Sequence, residues 1–301
     1  MSTAGPDADR APGGTSYPVF ADHHVHLGLI DVAGLAPGPV GAVVDLGWSP
    51  EIAELACPVP VAYAGCFLAA PGGYPEGRSW APAGSVEAIG SPGQATEAVA
   101  RQRARGASLI KVTLNREAGP VPDLPTLAAV VAAAGELPVV AHAEGAGMVE
   151  RALAAGIGAL AHTPWTERLP GDVVRRCARS QTWISTLDIH GYGVRSAAQA
   201  LAVENLRRFH GEGGRVLYGT DLGNGPLPVG LNLREIALLA AAGLTEPEIL
   251  SALTAPWPGP QGVGSRTVVP EGEEPWLDRL ARGWVRPGST PEGGESVASE
   301  T

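Results

Sequence analysis

Short runs of apolar and β-branched residues alternate along the chain with longer amphipathic segments. Eight runs have the character of strands, and they lie at 17–27, 39–47, 60–69, 107–114, 137–143, 157–163, 182–188 and 214–221. Helix-like segments stand between most of them, at 93–105, 123–136, 145–155, 169–180, 196–210 and 230–242. Strands that alternate with helices pair in parallel through right-handed crossovers. The pattern therefore predicts an α/β fold, with a (β/α)8 TIM barrel as the leading architecture and a doubly wound open sheet as the alternative.

Composition divides the chain into three parts. From Pro256 onward the sequence is rich in turn residues, with one helix-compatible stretch at 276–284. We predict a disordered leader at 1–16, a TIM-barrel domain at 17–257 and a short C-terminal extension at 258–301 that is partly disordered. No predicted strand is followed by a G-x-G-x-x-G or Walker loop, which argues against a nucleotide-binding open sheet.

Charge and cysteine content limit the partners of the protein. A net charge of −10 argues against nucleic acid or an anionic membrane surface as the main partner. No apolar run approaches the roughly 18 residues that a membrane span needs, and the N-terminal sequence lacks the features of a secretory signal. The three widely spaced cysteines are typical of reduced thiols in the cytoplasm. We expect a cytoplasmic protein that binds a small molecule. The sequence leaves open whether the protein forms a homo-oligomer.

The stretch ADHHVHLG, at 21–28, contains three of the seven histidines. Residues two apart on a strand share a face, so His24 and His26 project together and His23 projects the opposite way. In a parallel barrel, side chains at the carboxyl ends of the strands form the active site. Two imidazoles there can bind one metal ion, although an isolated H-x-H is more often a pair of core or surface histidines.

Four further polar residues change that interpretation. Each lies at the downstream end of a predicted strand, and they are Lys111, His142, His162 and Asp221. Lys111 is the only lysine among 21 basic residues. Burial lowers the pKa of a lysine, and the neutral amine can react with carbon dioxide to form a carbamate, an anionic oxygen ligand. Burying so many polar groups together is costly unless they bind something, and a metal centre is the simplest explanation.

These residues resemble the ligand pattern of the amidohydrolase superfamily, which has H-x-H on strand one, lysine on four, histidines on five and six, and aspartate on eight. The resemblance spans roughly residues 18–257. It implies a centre of two divalent ions whose ligands are His24, His26, Lys111, His142, His162 and Asp221. Carboxylated Lys111 would bridge the ions, and Asp221 would carry a proton between water and the leaving group. Zinc suits these ligands, and manganese, iron and cobalt stay open.

The resemblance also implies the activity, a hydrolase of amide, cyclic amide or peptide-like C–N bonds other than ordinary protein peptide bonds. A lactonase or phosphotriesterase with the same site, or a non-catalytic barrel subunit, is the alternative. Loops after the strands shape the pocket, and the predicted substrate contacts are Tyr74, Trp165, His190, Tyr192 and Asn224. His190 is also a candidate catalytic residue because it directly follows a strand. Many superfamily members carry an N-terminal β-sandwich, for which the sequence before His24 is expected to leave no room.

Overall fold

The computed structural model describes residues 9–36, 38–259, 262 and 264–288. Its strands are β1 Asp9–Ala11, β2 Gly14–Pro18, β3 Phe20–Val25, β4 Val40–Asp45, β5 Val61–Tyr63, β6 Phe67–Ala69, β7 Val86–Ala88, β8 Ile110–Asn115, β9 Val139–Glu144, β10 Ala159–Leu160, β11 Thr182–Ile184, β12 Arg215–Leu217, β13 Arg266–Pro270 and β14 Trp284–Arg286. Its helices are α1 Pro92–Ala104, α2 Leu124–Ala134, α3 Met148–Ala154, α4 Gly171–Ser180, α5 Ala197–Gly211, α6 Leu233–Ala241, α7 Glu246–Thr254 and α8 Trp276–Ala281. Every predicted strand run overlaps a strand, and the third contains both β5 and β6.

Two parallel sheets form the main body of the protein. The larger has the strand order β12-β11-β10-β9-β8-β6-β7, and the smaller has the order β3-β4-β5. Backbone hydrogen bonds link the two sheets at two places. The His23 amide donates to the Tyr218 carbonyl over 3.1 Å, and the Ser108 amide donates to the Tyr63 carbonyl over 2.9 Å. The predicted parallel α/β fold is therefore confirmed.

Strands β3, β4 and β8 are buried on both faces, and β9 is buried up to its last residue, which explains why apolar residues dominate their sequences. On β9, Val140 belongs to an inner cluster that also contains Leu109, just before β8, and Ile184 and Leu217 from other strands. The next residue, Ala141, packs in the larger cluster that the helices cover. A polar side chain on these strands is thus removed from water on either face. Its burial is costly unless a specific partner binds it.

The helices begin where side chains can satisfy the free backbone amides. Ser91, Asp123 and Ser196 accept hydrogen bonds from the amides of the first turns of α1, α2 and α5. Thr245 and Glu248 form a capping box at the start of α7, a helix that the sequence analysis did not predict. Among the described residues no helix is long and apolar enough to cross a membrane.

Residues from both ends of the described chain form a separate antiparallel sheet, in the order β1-β2-β13-β14. The Thr267 hydroxyl in β13 accepts from the Phe20 amide and donates to the Pro39 carbonyl, each over 2.9 Å. Through these two bonds Thr267 ties the small sheet to the start of β3 and to the residue before β4.

This small sheet corrects the prediction of a disordered leader over 1–16, because β1 and part of β2 lie within that range. It also pairs the N-terminal strands with the extension, which had been predicted as a separate segment. These strands are three to five residues long, and the central pairing, of β2 with β13, joins opposite ends of the described chain, so local periodicity does not reveal the sheet. The parts of the leader and of the extension at 1–8 and 289–301 lie outside the described residues.

Candidate metal centre

His24 and His26 lie at the end of β3, and Asp221 follows β12. Backbone contacts align the two segments, because the Asp221 amide donates to the His24 carbonyl over 2.8 Å and Val25 pairs in parallel with Leu222. Asp221 Oδ1 consequently lies 3.0 Å from His24 Nε2 and 3.2 Å from His26 Nε2, and the two nitrogens are 3.3 Å apart. The three side chains are buried and their ligand atoms form one compact group.

The outward-facing nitrogens of these histidines are held by backbone carbonyls. His24 Nδ1 lies 2.8 Å from the Ala161 oxygen, and His26 Nδ1 lies 2.9 Å from the Gly47 oxygen. Because a carbonyl only accepts hydrogen bonds, each Nδ1 carries a proton and each Nε2 of a neutral ring presents a lone pair. Burial lowers the pKa of His24 to about 4, so its Nε2 is unprotonated at neutral pH.

Three electron-rich atoms that face one another at this distance attract a positive charge. Asp221 Oδ1 is buried, and it faces the two Nε2 atoms without any other hydrogen-bond donor among the described residues. Although burial opposes a charge on His26, hydrogen bonding to Asp221 raises the pKa of His26, which shows the same demand for positive charge. Ligand atoms ~2.0–2.2 Å from a zinc-like ion are about 3 Å apart when the angle at the ion is near 90–110°. The observed spacing therefore fits a divalent cation.

His142 on β9 and His162 just after β10 lie beside this group. Their ring centroids are 5.0 Å apart, and the His162 ring is 4.7 Å from that of His24. One nitrogen of each ring is again held from outside, since His142 Nε2 lies 2.9 Å from Glu144 Oε2 and His162 Nδ1 lies 2.9 Å from Thr186 Oγ1. The other nitrogen of each ring makes no hydrogen bond to the described part of the chain and is available to a ligand.

Glu144 is a site residue that the sequence analysis missed. It follows His142 by two positions, so strand alternation places both on one face, and the stretch VVAHAEG carried that signal. Asn115 Nδ2 also donates to Glu144 Oε2 over 2.6 Å. The hydrogen bond from His142 lowers the pKa of Glu144, which keeps the carboxylate ionised. A fixed carboxylate that orients a histidine in this way is common around metal ligands.

Lys111 is buried, with 2% of its surface exposed, and lines the same pocket. Burial lowers its pKa to about 7 in spite of Asp221 and Asp45, so a neutral amine is populated at neutral pH. No described residue forms a hydrogen bond or ion pair with its nitrogen. The prediction that Lys111 ends its strand is wrong, because it is the second residue of β8, which runs on to Asn115. Its long side chain nevertheless brings it to the pocket.

Several buried groups fix the position of Asp221. Its backbone has a φ of +60°, a conformation that few residues other than glycine, asparagine and aspartate adopt easily. Asp22 accepts hydrogen bonds from the Thr220 amide over 3.0 Å and the His24 amide over 3.1 Å, and so joins the segments of both ligands. Asn224 Nδ2 donates to Asp221 Oδ2 over 2.8 Å. Asn224, predicted to contact substrate, therefore also supports a candidate ligand.

The candidate ligands open into a pocket of about 380 Å³. Of the predicted substrate contacts, four line it, namely Tyr74, Trp165, His190 and Asn224. Tyr192 is not among the described lining residues, and its ring lies against Gly225 at the pocket edge. Trp80, on the loop after β6, also lines the pocket, as does Phe67, which was not predicted because an apolar residue within an apolar strand is typical of the core.

Aromatic rings pack directly on the candidate ligands. Tyr74 stacks on His142 with centroids 5.1 Å apart, and Trp165 meets His162 edge-on at 5.4 Å. Trp165 also stacks on His190, at 4.7 Å. Burial lowers the pKa of His190 to about 4, so this imidazole is neutral, and its buried Nε2 has no hydrogen-bond partner among the described residues. It can therefore donate to or accept from a bound molecule.

A buried network holds the loop that carries His190. Glu235 on α6 accepts hydrogen bonds from the Leu187 amide over 2.9 Å and the Asp188 amide over 2.8 Å. Asp188 in turn accepts from Asn232 Nδ2, over 2.8 Å. Burial raises the pKa of Glu235 to about 7, so it is neutral in weakly acidic solution and ionised in basic solution.

This raised pKa predicts a pH-dependent stability. Between pH 4.5 and 7 the folded protein holds a proton on Glu235 that the unfolded chain releases, so this contribution to the free energy of unfolding is lost as pH rises through 7. Glu235→Gln removes this titration. We expect the free energy of unfolding of the variant, relative to that of the wild type, to rise by up to ~3 kcal/mol from pH 5 to pH 8. Urea unfolding at both pH values measures this, with the exposed Glu136→Gln as control. An equal pH dependence in all three proteins would contradict it.

Comparison with known proteins identifies solved structures that share this fold. Neither a protein-family model nor a curated protein sequence matches it. A Xaa-Pro dipeptidase solved with methionine in its active site is 17% identical, with 89% of this chain and 84% of that chain covered and a TM-score of 0.70. Ochratoxinase from A. niger is 18% identical, with coverages of 87% and 79% and a TM-score of 0.70. An amidohydrolase is 18% identical, with coverages of 93% and 85% and a TM-score of 0.68.

These similar structures belong to the amidohydrolase superfamily. At such low identities the likeness concerns the fold, and the chain has the fold of that superfamily, as the resemblance in its sequence predicted.

Proposed function

We propose that this protein is a metal-dependent hydrolase of the amidohydrolase superfamily that cleaves an amide, cyclic amide or peptide-like C–N bond. The observation that carries the proposal is the meeting of His24 Nε2, His26 Nε2 and Asp221 Oδ1 within 3.0–3.3 Å in a buried position. The similar structures, which include a dipeptidase, ochratoxinase and an amidohydrolase, are hydrolases of C–N bonds and support the reaction type.

The proposal includes a closed (β/α)8 barrel. In it the strands β3, β4, β5 with β6, β8, β9, β10, β11 and β12 form the ring. The hydrogen bonds from His23 to Tyr218 and from Ser108 to Tyr63, which link the two parallel sheets, support this closure. In such a barrel the carboxyl ends of the strands converge, which is where an active site is expected.

Four histidines, one aspartate and Lys111 would hold two divalent ions. His24, His26 and Asp221 would bind the first, His142 and His162 the second, and a carbamate on Lys111 would bridge them. The buried lysine with a pKa near 7 supports the carbamate, because only the neutral amine reacts with carbon dioxide. The mixed nitrogen and oxygen ligands favour zinc, and the test below includes manganese, iron and cobalt.

Ions held by these residues would make hydroxide available at neutral pH and would polarise the amide carbonyl. Side chains of the protein carry out the proton transfer and the binding of the substrate. Asp221 takes the proton of the attacking water and returns it to the leaving nitrogen as the C–N bond breaks. His190, neutral and without a partner at Nε2, hydrogen-bonds the substrate. Tyr74 and Trp165 cover the ligand histidines and exclude water from them.

Metal reconstitution and a substrate panel test the proposal. The chelated protein is reloaded with zinc, manganese, iron or cobalt in the presence of bicarbonate, and its metal content is measured. We expect at least one ion per chain, and metal-dependent hydrolysis of one or more compounds from a panel of N-acyl amines, cyclic amides and dipeptides.

The same assay separates the alternatives. Hydrolysis of lactones or phosphotriesters but of no amide would identify a lactonase or phosphotriesterase. Less than one ion per chain after faithful reconstitution would contradict the proposal and favour a non-catalytic barrel subunit.

A further inference from the structure

Three described residues other than glycine have a positive backbone φ, and all of them lie at or beside the candidate metal centre. They are Asp221 at +60°, Tyr192 at +50° and Thr186 at +43°. Asp221 is a candidate ligand, and Tyr192 lies at the pocket edge. Thr186 is the least expected of them, because a β-branched residue rarely adopts this conformation. Such strain persists where the surrounding structure fixes it, and it is concentrated at functional sites.

Hydrogen bonds on both sides of Thr186 fix its strained backbone. The Thr186 amide donates to the Gly219 carbonyl over 3.0 Å, and the next amide, that of Leu187, donates to Glu235 over 2.9 Å. Held in this way, the buried Thr186 hydroxyl lies 2.9 Å from His162 Nδ1 and makes no other hydrogen bond to the described residues. The strain therefore places a hydroxyl against a ring that the proposed function assigns to the second ion, and this inference rests on that proposal.

The partner of His162 differs in kind from the partners of the first two histidines. His24 and His26 face backbone carbonyls, which only accept, so each of these rings keeps its proton on Nδ1. A hydroxyl both donates and accepts, so Thr186 can face either tautomer of His162. With the proton on Nδ1, the ring donates to Thr186 and Nε2 is free to bind an ion. With the proton on Nε2, the hydroxyl donates to Nδ1 and the ring cannot bind an ion through Nε2.

The environment of Thr186 favours the second tautomer when no ion is bound. The hydroxyl hydrogen has no acceptor among the described residues except His162 Nδ1, and a buried donor without a partner is costly. The His162 ring also lines the pocket, where solvent can accept a proton from Nε2. A ligand at Nε2 reverses this preference, because Nε2 must then be free of its proton.

We infer that Thr186 is a positioning residue for the second ion, and that its hydroxyl lets His162 change tautomer when this ion binds. Nε2 loses a proton to solvent and Nδ1 gains one, so the ring stays neutral, and the hydroxyl changes from donor to acceptor. His24 and His26 need no such change. The first site is thus prepared before an ion arrives, whereas the second is completed only as it fills.

Two substitutions that differ by one oxygen atom test the role of the hydroxyl. Thr186→Ser keeps it and Thr186→Ala removes it, and both variants lack the γ-methyl group. The chelated proteins are titrated with zinc in bicarbonate buffer against a competing chelator. We expect the dissociation constant of the second ion to be about 10–100-fold higher for Thr186→Ala than for Thr186→Ser, and that of the first ion to be equal in both. Equal second-ion affinities would overturn the inference.

The neighbouring Ser185 offers a matched control. Its hydroxyl is also buried, but it donates to the Gly219 carbonyl over 3.2 Å instead of contacting a candidate ligand. Ser185→Ala should lower the free energy of unfolding in urea and keep the second-ion affinity of the wild type. If Ser185→Ala weakens the second ion as much as Thr186→Ala does, the inference is overturned, because general loosening of the loop would then explain both.

Nitrogen-15 NMR of the histidine rings observes the tautomers in the wild type, with the His162 signals assigned from His162→Gln. In the chelated protein we expect His162 to populate the form with the proton on Nε2, and with two zinc ions per chain the form with the proton on Nδ1. His24 and His26 should keep the Nδ1 proton in both states. A proton on His162 Nδ1 in both states, or a wild type that binds a single ion, would overturn the inference. None of these measurements needs turnover, so a failure of the proposed function appears separately, as absence of hydrolysis across the substrate panel.

Discussion

Asp221→Asn is expected to lower kcat by about 10²–10⁴-fold while the metal content stays near that of the wild type. The amide keeps an oxygen that can face the Nε2 atoms of His24 and His26, but it cannot accept the proton of the attacking water. Asparagine also tolerates the backbone φ of +60° at this position, so the loop after β12 is preserved. Steady-state kinetics and metal analysis of the same preparation measure the two effects.

A control shows that the loss comes from the site. Asp172→Asn makes the same chemical change on an exposed residue in the first turn of α4, and it should leave kcat and metal content unchanged. A variant at Asp221 that keeps more than about a tenth of the wild-type kcat would contradict the proton-transfer role. Loss of kcat together with loss of the first ion would show that Asp221 acts mainly as a ligand.

The sequence was sufficient for the central geometry of the site. Strand alternation placed His24 and His26 on one face, and parallel pairing of the first and last strand runs brought Asp221 to them. Strand alternation also predicted that His23 faces away from the site. Its ring nitrogens indeed contact the Tyr218 and Ala255 carbonyls rather than the candidate ligands. These results follow because a period of two fixes a face, and a repeated strand–helix unit fixes which ends meet.

The sequence alone did not reveal the distances between side chains or the pairing of strands that are far apart in the chain. The contact of Glu144 with His142 depends on side-chain geometry that periodicity does not encode. Asp22 holds the segments of two ligands together, but in the sequence it is only an acidic residue inside an apolar strand. The pairing of β2 with β13 joins residues about 250 positions apart, for which one sequence contains no register signal.

Two aromatic residues of the pocket contact the candidate metal ligands directly. Tyr74 stacks on His142 and Trp165 meets His162 edge-on, so these rings restrict the histidines that the proposal assigns to the second ion. A substitution of either aromatic residue is therefore expected to change metal affinity as well as activity.

Lys111→Ala is expected to remove the second ion and to lower kcat/KM by about 10²–10³-fold. Without the carbamate, His142 and His162 provide only two nitrogens and no bridging anion, whereas the first site keeps His24, His26 and Asp221. Metal analysis should thus fall from about two ions per chain to about one. Propionate, which can occupy the space left by the side chain and supply a carboxylate, should restore part of the activity, and propionamide should not.

The single lysine makes the carbamate itself observable. Because Lys111 is the only lysine in the chain, a ¹³C carbamate signal formed from labelled bicarbonate can come only from this side chain or from the terminal amine. The signal should be present in the metal-loaded wild type and absent from Lys111→Ala. An unchanged signal, or equal rescue by propionate and propionamide, would contradict a bridging carbamate. Burial of Lys111 lowers its pKa and so favours the neutral amine that carbamate formation would need.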